Sequence, residues 1–181
     1  MSTTEMTTIA PTGTWRLDRV HSTVSFEVAY LAGIFKGEFR EVDATLAVTD
    51  GGATLAGVAT VASVDVKDES LAAHLQSPDF FDAEGHPELR FAAEDIALAG
   101  RTVTVEGEIT IKGVTKPVTV TGTVAAPLTD PYGNERIGLA VTTTVDRTDF
   151  GVSWNNPLPS GEPALANDVR IVAELQFARA A

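Results

Sequence analysis

Three histidines, His21, His74 and His86, are the side chains of this chain best suited to proton transfer or metal ligation near neutral pH. Zinc or iron would need imidazole and carboxylate ligands brought together, and neither an HxH nor an HExxH pattern is present. His21 falls in a turn, His74 on a helix surface and His86 before a proline, all positions where polar side chains are ordinary, so no metal site is expected. Ser22 and Ser25 lie beside His21, but a serine nucleophile needs an oriented base and an oxyanion hole, and no G-x-S-x-G elbow occurs. Asp65, Asp68, Asp79 and Asp82 could share a proton as an acid/base pair, yet around a helix start such carboxylates more often cap or solvate. No catalytic residue is assigned, and a His/carboxylate metal-dependent enzyme is the weakest of the alternatives.

Whatever chemistry the chain performs must be positioned by 181 residues, which suit one domain. A hydrophobic fraction of 44% supplies a large core, and 15 glycines with 9 prolines can punctuate many strands. Thirteen Lys and Arg against 25 Asp and Glu leave a net charge of −12, which repels nucleic-acid phosphates and anionic bilayers, so no nucleic-acid partner is expected. Without cysteine, disulfides, thiolate metal sites and thiol redox chemistry are excluded. No run approaches the ~18 consecutive apolar residues of a membrane span, and stable membrane insertion is not expected. The first 13 residues lack the basic and apolar regions of a secretory signal, which gives a cytoplasmic expectation.

Period-two alternation dominates the rest. Val24, Phe26, Val28 and Tyr30 alternate with polar or small residues; residues 34–49 form a long run whose apolar parity switches near Arg40 and Glu41, as a β-bulge or sharp coil requires; Asp50-Gly51-Gly52 signals a hairpin. Residues 54–66 continue as an Ala-, Val- and Gly-rich strand, and further strands carry Val103 to Ile111, Val118 to Val124, Ile137 to Val141 and Val169 to Phe177 on one apolar parity. The exception is a short helical segment near residues 68–82, where Leu71 and Leu75 share a face, Asp68 or Glu69 meets the helix N-terminus, and Ser77-Pro78 restarts a turn that delivers Phe80 and Phe81 inward. This segment could cover one mouth of an antiparallel barrel or sandwich of roughly eight long strands. Residues 1–13 read as a flexible leader and residues 14–178 as a single β domain.

The segments HSTVSFEV, the Phe35-Lys36-Gly37-Glu38-Phe39 step, SVDVKDESLAAHLQSPDFFDAEGHPELRF, GEITIKGVTKPVTV and DRTDFGVSWN, in this order over residues 14–177, resemble the YceI-like, polyisoprenoid-binding family. The resemblance implies an all-β fold: an extended eight-stranded antiparallel lipocalin-like barrel, non-enzymatic, whose lumen holds a long isoprenoid, an isoprenoid quinone or a similar amphiphilic lipid. It implies no cofactor beyond that ligand, and a homodimer as one assembly. The resemblance implies that many relatives are secreted to the periplasm behind a signal peptide, which residues 1–13 do not resemble, so a cytoplasmic lipid or quinone carrier is the adjusted expectation.

An eight-stranded barrel is either filled by its side chains or just wide enough for one ligand. Gly107, Gly122 and Ala173 fall on the apolar parity and could leave a channel, unless large residues from opposite strands fill those gaps. Candidate lumen residues are Phe26, Val28, Phe35, Phe39, Phe80, Phe81 and Phe91, with Val105, Ile109, Val120, Val141, Trp154, Ile171 and Phe177. Arg147 and Asp149 are headgroup candidates, the arginine meeting phosphate while Trp154 walls the tail; equally, they form a structural Arg-Asp pair closing the barrel. Lys112 and Lys116 beside Gly113 read as solvated hairpin residues. The competing class is a filled acidic barrel that binds a protein partner.

Overall fold

The computed structural model describes residues 10–180. Eleven strands follow in chain order: β1 Gly13–Leu17, β2 Thr23–Tyr30, β3 Gly33–Phe39, β4 Val42–Thr49, β5 Gly52–Thr60, β6 Val64–Asp65, β7 Glu88–Ile96, β8 Thr102–Ile111, β9 Val114–Thr129, β10 Glu135–Asp146 and β11 Leu165–Arg179. One helix, α1 Glu69–Gln76, lies between β6 and β7. All pairings are antiparallel and the sheet closes on itself through β1 and β11. Of the stretch read as a leader, residues 1–9 lie outside the described residues, and Ala10 is buried.

The eleven strands make eight long ones. Along β11, β2 pairs with residues 165–174 and β1 with residues 177–179, in the same direction. On the other side, β1 pairs with β4 and β2 with β3. Further round, β4 pairs with β5 and β3 with β6. Hence β1 with β2, β3 with β4, and β5 with β6 are three adjacent long strands, each broken once. The breaks, at 18–22, 40–41 and 61–63, sit beside one another: the N–H of Asp18 donates to Gln176, that of Arg40 to Ser63, and that of Thr60 to Glu41. The parity switch of residues 34–49 is therefore a strand break at Arg40 and Glu41 rather than a bulge.

A break in a strand orphans backbone groups, and buried orphans are costly. Two hydroxyls serve here. Ser22 Oγ accepts the N–H of Gln176 at 3.0 Å, where β11 changes partner; Ser63 Oγ accepts the N–H of Glu41 at 3.0 Å and donates to the Thr60 carbonyl at 2.6 Å. Ser22, considered above as a nucleophile, is buried for this reason.

Turn chemistry follows the residues. Asp50 and Gly51 form the two-residue link of the β4–β5 hairpin, and Lys112-Gly113, both at positive φ (50° and 76°), link β8 to β9. Asp68 caps α1, its side chain accepting the N–H of Leu71 at 2.9 Å.

The two ends of the barrel differ. At the end where β1 meets β11, Trp15, Leu46 and Phe177 are fully buried; Leu46 faces Trp15 across β1–β4, and Phe177 faces both Leu17 and Ile137. That end is plugged. Its rim is tied by Arg136 on β10, whose guanidinium bonds Asp18 at 2.6 Å and Asp130 at 2.7 Å. Asp18 also accepts the N–H groups of Val20 and His21, so one ion-paired carboxylate shapes the first strand break.

Hydrogen bonding to Arg136 holds the Asp18 carboxyl well below the ordinary carboxylate range and that of Asp130 at about 2. A carboxylate whose folded pKa is depressed stabilises the fold above its unfolded value and loses that contribution as pH falls toward the folded one. Arg136→Met should therefore be less stable than the parent above about pH 4, the deficit shrinking as pH falls toward 2. Urea melts across pH 2–7 would show this; a deficit independent of pH would mean that Arg136 acts through packing of its stem alone.

Candidate functional site

Between the plug and the opposite mouth lies a cavity of about 480 Å³, within the usual size of a small-ligand pocket. Leu17, Ile96 and Leu98 form its floor, whereas Trp15, Leu46 and Phe177 lie behind it and do not border it. Its wall is built by the inward parity of the long strands. Phe26 and Val28 come from β2, Phe35 and Phe39 from β3, Val105 and Ile109 from β8. Phe91 on β7, Val120 on β9, Val141 on β10 and Ile171 on β11 complete the circuit. Phe35, Phe91, Ile109 and Ile171 point inward yet are only half-buried, as side chains beside open space are.

Small residues border the cavity where larger ones would fill it: Ala44, Gly57, Ala59 and Ala173. The glycines expected to open a channel do something else. A Cβ on Gly107 would lie 2.7 Å from the Phe91 ring, so that ring already covers the gap, and a Cβ on Gly122 would lie 1.9 Å from the Ala140 carbonyl oxygen, a close approach of β9 to β10. Phe26 covers Gly37 in the same manner, with its ring 2.5 Å from that absent Cβ.

The mouth is covered by α1 and the turn after it. Leu71 and Leu75 of α1 border the cavity together with Phe80, Phe81 and Trp154. Consecutive Phe80 and Phe81 join two aromatic groups. Phe81 sits 6.2 Å from Phe26 and 5.6 Å from Phe39; Phe80 sits 5.3 Å from Trp154 and 4.9 Å from His74. His74 also stacks edge-on against Trp154 at 4.9 Å, with Nε2 3.0 Å from Asp79. This histidine lies against the cavity, not on a free helix surface; its place between Leu71 and Leu75 was the signal in the sequence. Lys112 is likewise not a free hairpin lysine: Nζ donates to the Pro78 carbonyl at 2.5 Å and to that of Gly151 at 3.3 Å, tying the cover to the β8–β9 hairpin. Lys116 is exposed.

Two expectations are corrected. Phe177 faces inward but is core in the plugged end, with no contact to the cavity. Asp149 is exposed, does not border the cavity and does not pair with Arg147. Residues 147–150 form a 3-10 turn; with three residues per turn, Arg147 and Phe150 share the buried face and Asp149 is turned away.

Arg147 itself is 6% exposed and borders the cavity. Nε donates to the Ala166 carbonyl at 2.8 Å, and Nη1 to those of Val152 at 2.7 Å and Trp154 at 2.8 Å. The guanidinium thus fixes the segment that presents Val152 and Trp154 to the lumen. Burial pushes its pKa down, with the charge of Asp146 opposing. Among the described residues no group of three or more His, Asp or Glu side chains is arranged to hold a metal ion, and Asp65, Asp68, Asp79 and Asp82 are engaged with Arg40, the α1 N-terminus, His74 and the Gly85 N–H.

A YceI-like domain model matches residues 15–177. The chain is 33% identical over 141 residues to a UPF0312 protein of Pseudomonas putida (strain W619), covering 73% of this chain and 71% of that protein. It is 29% identical over 166 residues to a UPF0312 protein of Staphylococcus aureus (strain MSSA476), covering 88% and 94%. Among solved structures, Burkholderia cenocepacia BcnA superposes with a TM-score of 0.76 at 24% identity, over 88% of this chain and 98% of that one. A polyisoprenoid binding domain from Saccharophagus degradans superposes with a TM-score of 0.71 at 13% identity, over 92% and 98%. These two share the fold, the closed eight-stranded antiparallel barrel. With the family match running from Trp15 on the first strand to Phe177 on the last, the chain belongs to the YceI-like domain family.

Proposed function

We propose that this barrel binds the apolar chain of a long isoprenoid, an isoprenoid quinone or a similar amphiphile in its lumen, without catalysis, for carriage, storage or sequestration. The observation that carries this reading is the cavity: about 480 Å³ bordered mostly by Val, Leu, Ile and Phe residues. An apolar pocket of this size with few polar groups suits an apolar ligand. The polyisoprenoid binding domain that shares the fold supports the same class of occupant. A filled barrel acting only as a protein-interaction module is disfavoured by the cavity itself.

Organic extraction and mass spectrometry of the purified, never-denatured protein is the direct test, with about one long-chain amphiphile per chain expected. An extract free of lipid, together with no binding of added farnesol, would overturn the proposal. Two phenylalanines separate lumen from core. Phe177→Ala, behind the floor, should cost about 3 to 5 kcal/mol of stability and leave farnesol affinity unchanged. Phe81→Ala, half-buried at the mouth, should weaken farnesol binding at a smaller cost in stability. Equal binding by both variants and the parent would place the ligand outside the cavity.

A further inference from the structure

The tip of the β2–β3 hairpin is apolar where hairpin tips are ordinarily polar. Residues 29–34, Ala-Tyr-Leu-Ala-Gly-Ile, are all exposed and uncharged, and the Tyr30 hydroxyl is their one polar side-chain group. Tyr30 pairs with Gly33, so Leu31 and Ala32 form the two-residue link. Such links need a positive φ, which glycine, asparagine and aspartate adopt most readily. Here Leu31 takes it, at 52°, while 62% exposed. The other described non-glycine residues at positive φ are Asp82, Asp95 and Lys112. Leu31 thus holds a strained backbone position without packing in return, and Ile34, just past the link, is 61% exposed. The remaining exposed large apolar residues, Val20, Leu128 and Tyr132, lie by the plugged rim among the charges of Asp18, Asp130 and Arg136.

The apolar tip stands at the mouth. Tyr30 pairs with Leu165 at the start of β11, the far end of that strand from Phe177 in the plug. Tyr30 and Phe35 also border the cavity, so apolar surface runs from solvent into the lumen. Toward the barrel body, Glu27 pairs with Lys36 at 3.5 Å and with Arg170 at 3.3 Å. This charged collar lies about 10 Å from Tyr30 along the strand. A patch of six residues falls far short of the roughly 20 to 30 a side that a stable protein interface uses. It suits shallow seating in a bilayer, where apolar groups enter by ~5 to 10 Å and an aromatic hydroxyl stays at headgroup level. We propose that residues 30–34 seat the barrel, shallowly and reversibly, on a lipid bilayer of low negative charge, and that the chain held in the lumen enters and leaves across this contact. What is exchanged rests on the lumen reading above; the contact itself does not. A net charge of −12 opposes anionic surfaces, so the apolar tip and not electrostatic attraction must hold the protein there.

Flotation with phosphatidylcholine vesicles tests the contact. The parent should float with them at low and high salt alike, and float less as phosphatidylglycerol replaces phosphatidylcholine. Leu31→Asn combined with Ile34→Thr should weaken flotation about tenfold or more. Farnesol affinity in solution should stay that of the parent, since neither residue borders the cavity. Asparagine tolerates positive φ and threonine suits an exposed strand position, so this variant should melt no lower than the parent, and lost flotation is then not lost fold. Transfer of dansyl-labelled farnesol from vesicles to the parent should quicken as vesicle concentration rises, as contact requires. For the tip variant the rate should be independent of it, as passage through water requires. Leu128→Thr combined with Tyr132→Thr at the plugged rim should change none of these. No flotation of the parent, undiminished flotation of the tip variant, or loss of flotation in the rim variant would overturn the proposal while leaving the lumen reading intact. A parent dimer that dissociates in the tip variant, with no flotation of either, would give the tip to a second copy and overturn it equally. Failure of the parent to bind farnesol would sink the lumen reading, with flotation still deciding the contact.

Discussion

An eight-stranded barrel has so little interior that its side chains alone can fill it, and this volume limit governs everything else in the molecule. Space for a ligand must be created by shape or by residue size. Both occur here. Three neighbouring long strands break at adjacent points, 18–22, 40–41 and 61–63, which interrupts the wall along one line. On the cavity border, Ala44, Gly57, Ala59 and Ala173 stand where larger residues would close the lumen. At the plugged end, Trp15, Leu46 and Phe177 are packed to zero exposure. One end supplies the cohesive core and the other gives up packing contacts to hold a cavity. Such a division is economical because a void forfeits dispersion along its whole lining, and only a well-packed remainder can offset it.

The cover over the mouth depends on the same logic. Helix α1 has eight residues, too few to be stable on its own in water, so its position must come from tertiary contacts. Those contacts are of two kinds. Phe80 and Phe81 key into separate aromatic groups, one built by β2 and β3, the other by Trp154 and His74. Lys112 adds charged hydrogen bonds from the hairpin on the far side. The cover therefore touches β2 and β3 on one side and the segment after the 3-10 turn anchored by Arg147 on the other.

Strand alternation made most of this fold legible, because a residue's parity in a half-buried strand decides which way it faces. Phe26, Val28, Val105, Val120, Val141 and Ile171 all lie on the inward face that their spacing indicates. What parity lacks is depth along the barrel axis. Phe177 shares its parity with Ile171 but stands six residues further along β11, inside the plug. Glycines misled for a related reason: an absent side chain looks like space in a sequence, whereas Phe91 over Gly107 and Phe26 over Gly37 show a neighbour taking it. Outside the strands the signals were weaker. His74 reaches Trp154 and Lys112 reaches Pro78 and Gly151 from segments distant in the chain, and Asp149 shares a motif with Arg147 although the 3-10 turn rotates the two apart. The adjoining breaks at Ser22 and Ser63 were the least visible of all, since a serine supporting a strand break has no pattern distinguishing it from a surface serine.

Polarity within the lumen is uneven, and this fixes how an amphiphile would lie. The floor is entirely aliphatic, with Leu17, Ile96 and Leu98, and the plug behind it excludes water. The mouth carries a guanidinium and an imidazole among mostly apolar residues. A chain seated head-first would place its polar end against hydrocarbon, at a desolvation cost of several kcal/mol for an ionised group. A chain seated tail-first would avoid that cost, with its head on the same side as the α1 cover.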